Sequence, residues 1–156
     1  MKVDTSLDQK VKLPLFTLRV GVFIVMFMWV IDKFLNPVHT ASVWDRYYNI
    51  ENIGTFVSYA AGVIQGSILF AFLLGLAKRY SYGLIFIMHL ISTISPISKY
   101  LNPFQAPNLL FFAAFPMLSA CFALYVLRDN DTLLSPFSKT WSSSNAHHGL
   151  LHQHML

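Results

Sequence analysis

Four apolar runs joined by polar connections constrain this chain more than any other feature. They are "LPLFTLRVGVFIVMFMWVI" at 13–31, "GTFVSYAAGVIQGSILFAFLLGLA" at 54–77, "YGLIFIMHLISTISPIS" at 82–98 and "NLLFFAAFPMLSACFALYVL" at 108–127. Crossing a bilayer takes roughly 20 mostly apolar residues, with a usual range of about 17–25. A buried helix of a soluble protein resembles any one run, but not four in succession. Only 12% of the 156 residues are charged, against about 25% in a soluble domain, and mean hydropathy is +0.53. The chain lacks the polar residues to cover a surface that faces water. The expected fold is therefore all-α, a polytopic membrane four-helix bundle over residues 13–128. A cytoplasmic segment at 1–12 precedes it, and a polar, His-containing, disordered tail at 129–156 follows. No small-residue cleavage site follows the first run, so it is read as a retained span.

Charge sets the expected direction. If the spans alternate, Lys2, Lys10, Lys12, Arg19, Lys78, Arg79, Arg128 and Lys139 fall on one side, and Lys33, Arg46 and Lys99 on the other. The positive-inside rule then puts both termini in the cytoplasm, as in the inner membrane of a bacterium. The net charge of +4 comes with no basic, aromatic-interleaved face of the kind that nucleic acid requires. Cys121 is the sole cysteine, which excludes an intramolecular disulfide and a Cys-pair redox motif.

One phrase occurs twice, as "KFLNP" at 33–37 and "KYLNP" at 99–103. Lysine near a helix C-terminus suits the macrodipole and can snorkel. Asn can close a helix in the left-handed region, and Pro cannot continue it. Each copy is expected to be a helix stop at the outer membrane face. The repetition arises from shared physical demand or from a duplicated hairpin.

The polar residues inside the runs are the site candidates. Arg19 lies six residues into the first run; it either snorkels to the headgroups or has a function inside the bundle, with Asp129 and Asp131 as partners on the same side. Asp32 and Lys33 point about 100° apart: Asp32 inward and Lys33 snorkelling, or both solvated at the interface. Gly54, Ser58, Gly62 and Gly66 form a small-residue stripe for close helix packing, with Gln65 beside it as an interhelical hydrogen-bonding group. His89 is read first as a satisfied interior residue and second as a ligand. Pro96 and Pro116 interrupt the third and fourth runs. "VWDRYYNIEN" reads as an interfacial helix capping the outer mouth, an aromatic setting that also suits a quinone. His147, His148, His152 and His154 are weak metal candidates in the tail.

The sequences "LRVGVFIVMFMWVIDKFLNP" and "AAGVIQGSILFAFLLGLAKRYS" together resemble the DoxX-like family of small four-helix membrane proteins, which includes the MauE-like branch. Arg19, Gly21 and Lys33 match its first-helix pattern, and Gly66, Gly75, Leu76, Lys78 and Arg79 match its second. Gln65 stands where many members carry Glu, so no ionisable group transfers to that position. The resemblance spans roughly residues 15–128. It implies a four-helix bundle and association with redox, sulfur or metal-handling systems as an accessory subunit. One branch belongs to a thiosulfate:quinone oxidoreductase.

The expected function is a non-catalytic membrane anchor or subunit, with the bilayer and a redox or metal-handling protein as partners. No cofactor is evident beyond quinone contacted through a complex. The rival is a small transporter or channel, with Arg19, Asp32, Gln65 and His89 lining a path. A self-contained oxidoreductase has neither a haem-attachment motif nor a nucleotide fingerprint behind it.

Overall fold

Leu15, Arg19, Val22, Val30 and Lys33 are the buried residues among the described side chains of the first helix. Their spacing in threes and fours puts them on one stripe. The computed structural model describes residues 5–51 and 53–135, and the regular elements among them are all helical. They are α1 (Thr5–Leu35), α2 (Pro37–Tyr48), α3 (Thr55–Leu73), α4 (Lys78–Ile94), α5 (Ile97–Tyr100), a 3₁₀ segment (Asn108–Ala113) and α6 (Ala114–Val126). Three helical stretches are long and apolar enough to cross a membrane: Gln9–Leu35, Thr55–Leu73 and Asn108–Val126. The chain is a membrane protein on this ground. α4, with 17 residues, is not among the three.

The helix ends differ from the apolar runs for local reasons. α1 starts upstream of the expected boundary and carries Pro14 inside it. α3 stops at Leu73 because Gly75 takes φ +63. The Leu76 N–H reaches the Ala71 carbonyl at 2.8 Å and the Gly75 N–H reaches Phe72 at 3.0 Å, the paired bonds of a Schellman end. α4 stops before Pro96, which has no N–H for the ladder. Pro116, expected to interrupt its span, sits in the first turn of α6, where proline is tolerated.

α1, α3, α4 and α6 pack as a ring, each against the next and α6 back against α1. Neighbours run antiparallel. Gly62 faces Phe34 and Gly66 faces Val30, while Phe70 meets Phe23 and Phe27 nearer the start of α1. Phe86 stacks with Tyr125 and contacts Phe122; one turn further along α4, His89 reaches the Ala114 carbonyl at 3.2 Å. Large apolar side chains such as Ile24, Met28, Val63, Ile87 and Phe122 point outward, as a lipid-facing exterior requires.

The two copies of the repeated phrase build different structures. In the first, α1 ends at Leu35 and Pro37 opens α2, at a position where proline is favoured. Asn36 is not left-handed, with φ −131; Asn49, which closes α2 at φ 55, is. The second copy forms the single turn α5 and the loop after it. α2 packs on α1 and α3, and Tyr47 near its end meets Phe111 at 6.3 Å. It thus crosses the end of the bundle opposite Arg19.

Candidate functional site

Arg19 is fully buried, at 0% exposure. An isolated guanidinium in such a place costs several kcal/mol unless it is paired and hydrogen-bonded. Its partner lies beyond α6: Arg19 Nη1 is 3.3 Å from Asp131 Oδ2, and both side chains are fully enclosed. Nη1 also donates to the Tyr82 hydroxyl at 3.0 Å, and that hydroxyl donates to Asp131 Oδ2 at 2.6 Å. Arg19 Nη2 donates to the Leu133 carbonyl. The three side chains form a closed triangle in which Tyr82 both accepts and donates. Arg19 Nε and Asp131 Oδ1 are buried without a hydrogen bond among the described residues.

Local backbone geometry makes room for this triangle. A Cβ at Gly75 would lie 2.9 Å from Arg19 Nη1 and 2.9 Å from Ser135 Oγ, so only glycine fits there. Ser135 Oγ donates to the Gly75 carbonyl at 3.2 Å, and Lys78 Nζ donates to the Asp131 carbonyl. Ala77, with φ 43, and Leu134, with φ 54, are left-handed without being glycine. They flank the triangle on the α3–α4 turn and on the segment after α6. Such outliers persist only where surrounding contacts enforce them. The Phe72 ring meets Tyr82 edge-on at 4.8 Å, and the Arg19 guanidinium lies 5.3 Å from the Phe16 ring centre.

The structure decides between the two readings of Arg19 and its two named partners, and changes the reading of the tail. Arg19 does not snorkel; it points into the bundle. Asp129 is exposed, and Asp131 is the partner. The stretch up to Ser135, expected as the start of a disordered tail, folds back on α1 and the α3–α4 turn, because Arg19, Tyr82 and Lys78 all bind it. Among these groups, Tyr82 and Ser135 were missed from sequence.

At the opposite end, Lys33 departs from both of its expected roles, whereas Asp32 keeps the interfacial one. Lys33 is buried, and its Nζ donates to the Trp29 carbonyl at 3.0 Å. Its Cβ sits 3.4 Å from where a Cβ on Gly62 would be, so the close approach of α3 encloses it. Asp32 turns outward to the junction of α1 and α2, with His39 Nδ1 at 2.7 Å and Asn36 Nδ2 at 3.2 Å.

The remaining candidates are dispersed. Ser58, Gly62 and Gly66 are buried along α3, whereas Gly54 precedes the helix, exposed, with nothing within 4 Å of an added Cβ. Gln65 is half-buried beside that stripe. Gly21 is exposed with open space around it. His89 ties α4 to the start of α6 through the Ala114 carbonyl. Among the described residues no three His, Cys, Asp or Glu side chains gather to hold a metal. His147, His148, His152 and His154 lie outside the described residues.

No protein-family model, no curated protein and no solved structure matches this chain.

Proposed function

We propose that the chain is an inner-membrane four-helix protein that acts as a non-catalytic accessory subunit or anchor of a redox, sulfur or metal-handling system. α4 serves as the fourth span in this reading. Its 17 residues cover roughly 25 Å at 1.5 Å per residue, and it sits between α3 and α6. Lys10, Lys12, Arg19, Lys78, Arg79 and Arg128 belong to one end of the ring, and Lys33, Arg46 and Lys99 to the other, which favours a cytoplasmic location for the Arg19 end.

The observation behind the non-catalytic role is that Arg19, Lys33 and His89 each bind other side chains or the backbone. Arg19 is closed by Asp131, Tyr82 and Leu133, Lys33 by its own helix and His89 by Ala114. They stand at separate levels of the bundle instead of lining one path, so a transporter is the weaker reading. The redox or metal-handling partner, and any quinone contact through it, rest on the DoxX-like resemblance.

The test is affinity purification of the tagged chain from its native membranes in mild detergent. Stoichiometric recovery of an oxidoreductase or a metal- or sulfur-handling protein is expected. A chain that purifies alone and carries solute flux in proteoliposomes would favour the transporter instead.

A further inference from the structure

The second copy of the repeated phrase leads into an unusual loop. Phe104 at its tip is 95% exposed, and Ile97, Leu101, Leu109 and Leu110 around it are exposed as well. Residues 95–113 hold one charged side chain, Lys99. A loop in water would not present so many large apolar groups together.

The backbone of this loop is paired from within on either side of its tip. Buried Asn108 donates through Nδ2 to the Asn102 carbonyl at 2.9 Å, and Asn102 Nδ2 donates to Ser98 at 3.3 Å. The N–H groups of Asn102, Gln105 and Asn108 reach the carbonyls of Lys99, Asn102 and Gln105. Away from water, irregular backbone needs such internal partners. The loop also continues into the apolar stretch Asn108–Val126, which is itself able to cross a membrane. In that arrangement lipid would surround Leu109 and Leu110, and Asn108 bonds the carbonyls of Asn102 and Gln105 beside them. Tyr100, Phe112 and Phe115 cluster at 5.1–6.0 Å, a composition suited to the headgroup boundary.

We propose that residues 97–110 form an interfacial turn whose tip, Phe104, inserts into the lipid of the outer leaflet. The occupant of the exposed apolar face is bilayer lipid. The inference rests on the membrane reading of the chain and not on its accessory role. It gives the outer end of the α4–α6 pair its own anchor, where α4 falls short of the roughly 30 Å hydrocarbon thickness.

The test is nitroxide labelling of Phe104→Cys and Leu101→Cys, each in a Cys121→Ala background, with the protein in phosphatidylcholine–phosphatidylglycerol liposomes. Relaxation by oxygen is compared with relaxation by a water-soluble nickel chelate. Phe122→Cys on the exterior of α6 serves as the lipid reference, and Glu51→Cys as the aqueous one. The expected oxygen-to-nickel ratio at 104 is close to that at 122 and several-fold above that at 51. A ratio at 104 and 101 equal to that at 51, with 122 reading lipid, overturns the turn and leaves the membrane bundle standing. Aqueous readings at 104 and 122 together overturn both. Dipolar broadening at 104 that disappears on dilution with unlabelled protein would mean that a second copy covers the tip, which also overturns the proposal.

Discussion

Arg19 and Asp131 meet as a fully enclosed ion pair, Nη1 to Oδ2 at 3.3 Å, although one belongs to the first helix and the other follows the last. The pair joins α1 to the segment that leaves α6, and Tyr82 adds α4 to the same contact. Removing the hydroxyl by Tyr82→Phe takes one donor from Asp131 and one acceptor from Arg19. Hydrogen bonds to charged groups contribute about 1.5–3 kcal/mol. Unfolding of Tyr82→Phe in bicelles is expected to show a loss of that order; an unchanged stability would mean the hydroxyl contributes nothing.

Gly75→Ala should destabilise strongly for two reasons that add. Its φ of +63 disfavours a Cβ, and the new atom would meet Arg19 Nη1 and Ser135 Oγ at 2.9 Å. Gly21→Ala is the control, since nothing lies within 4 Å there and alanine is favoured over glycine in a helix by roughly 1 kcal/mol. Thermal denaturation in detergent should lower the midpoint for residue 75 and leave it equal or higher for residue 21. Equal losses at both would deny the special packing at Gly75.

At Gly62, size should matter in steps. An added Cβ meets the far edge of the Phe34 ring at 2.8 Å, and that ring is exposed enough to swing aside. Gly62→Ala is therefore expected to be mild and to be relieved by Phe34→Ala. Gly62→Leu also presses on the Lys33 stem and should cost about 1–3 kcal/mol, typical of overpacking. Indistinguishable melting of the Ala and Leu variants would show that the α1–α3 contact is loose.

The fold was more legible than the site. Gly62 and Gly66 announce themselves by spacing, because small residues four apart make a visible stripe, and both indeed face α1. Proline and glycine were harder to read: Gly75 ends α3 through two backbone bonds that no apolar run displays, and Pro37 begins a helix where it was expected only to end one. Arg19 was conspicuous as a charge in an apolar run. Its partner was not, because Asp131 and Asp129 look alike in sequence and only the turn after α6 decides which faces inward. Lys33 is legible as an inward residue from its spacing. It shares the three-and-four spacing of Arg19, Val22, Met26 and Val30, which places it on the inward stripe, whereas Asp32 falls to one side. Tyr82 gave no signal, since a tyrosine at a membrane boundary is ordinary.

The most direct measurement is a double-mutant cycle on Arg19 and Asp131, with unfolding followed in bicelles. Breaking a buried pair from one side typically costs about 3–5 kcal/mol, whereas replacing both partners by apolar side chains is often neutral or stabilising. Arg19→Met and Asp131→Leu should each fall within that loss. The double variant should recover most of it, giving a coupling of several kcal/mol. Single losses below about 1 kcal/mol that simply add, as for an exposed pair, would contradict a buried Arg19–Asp131 contact.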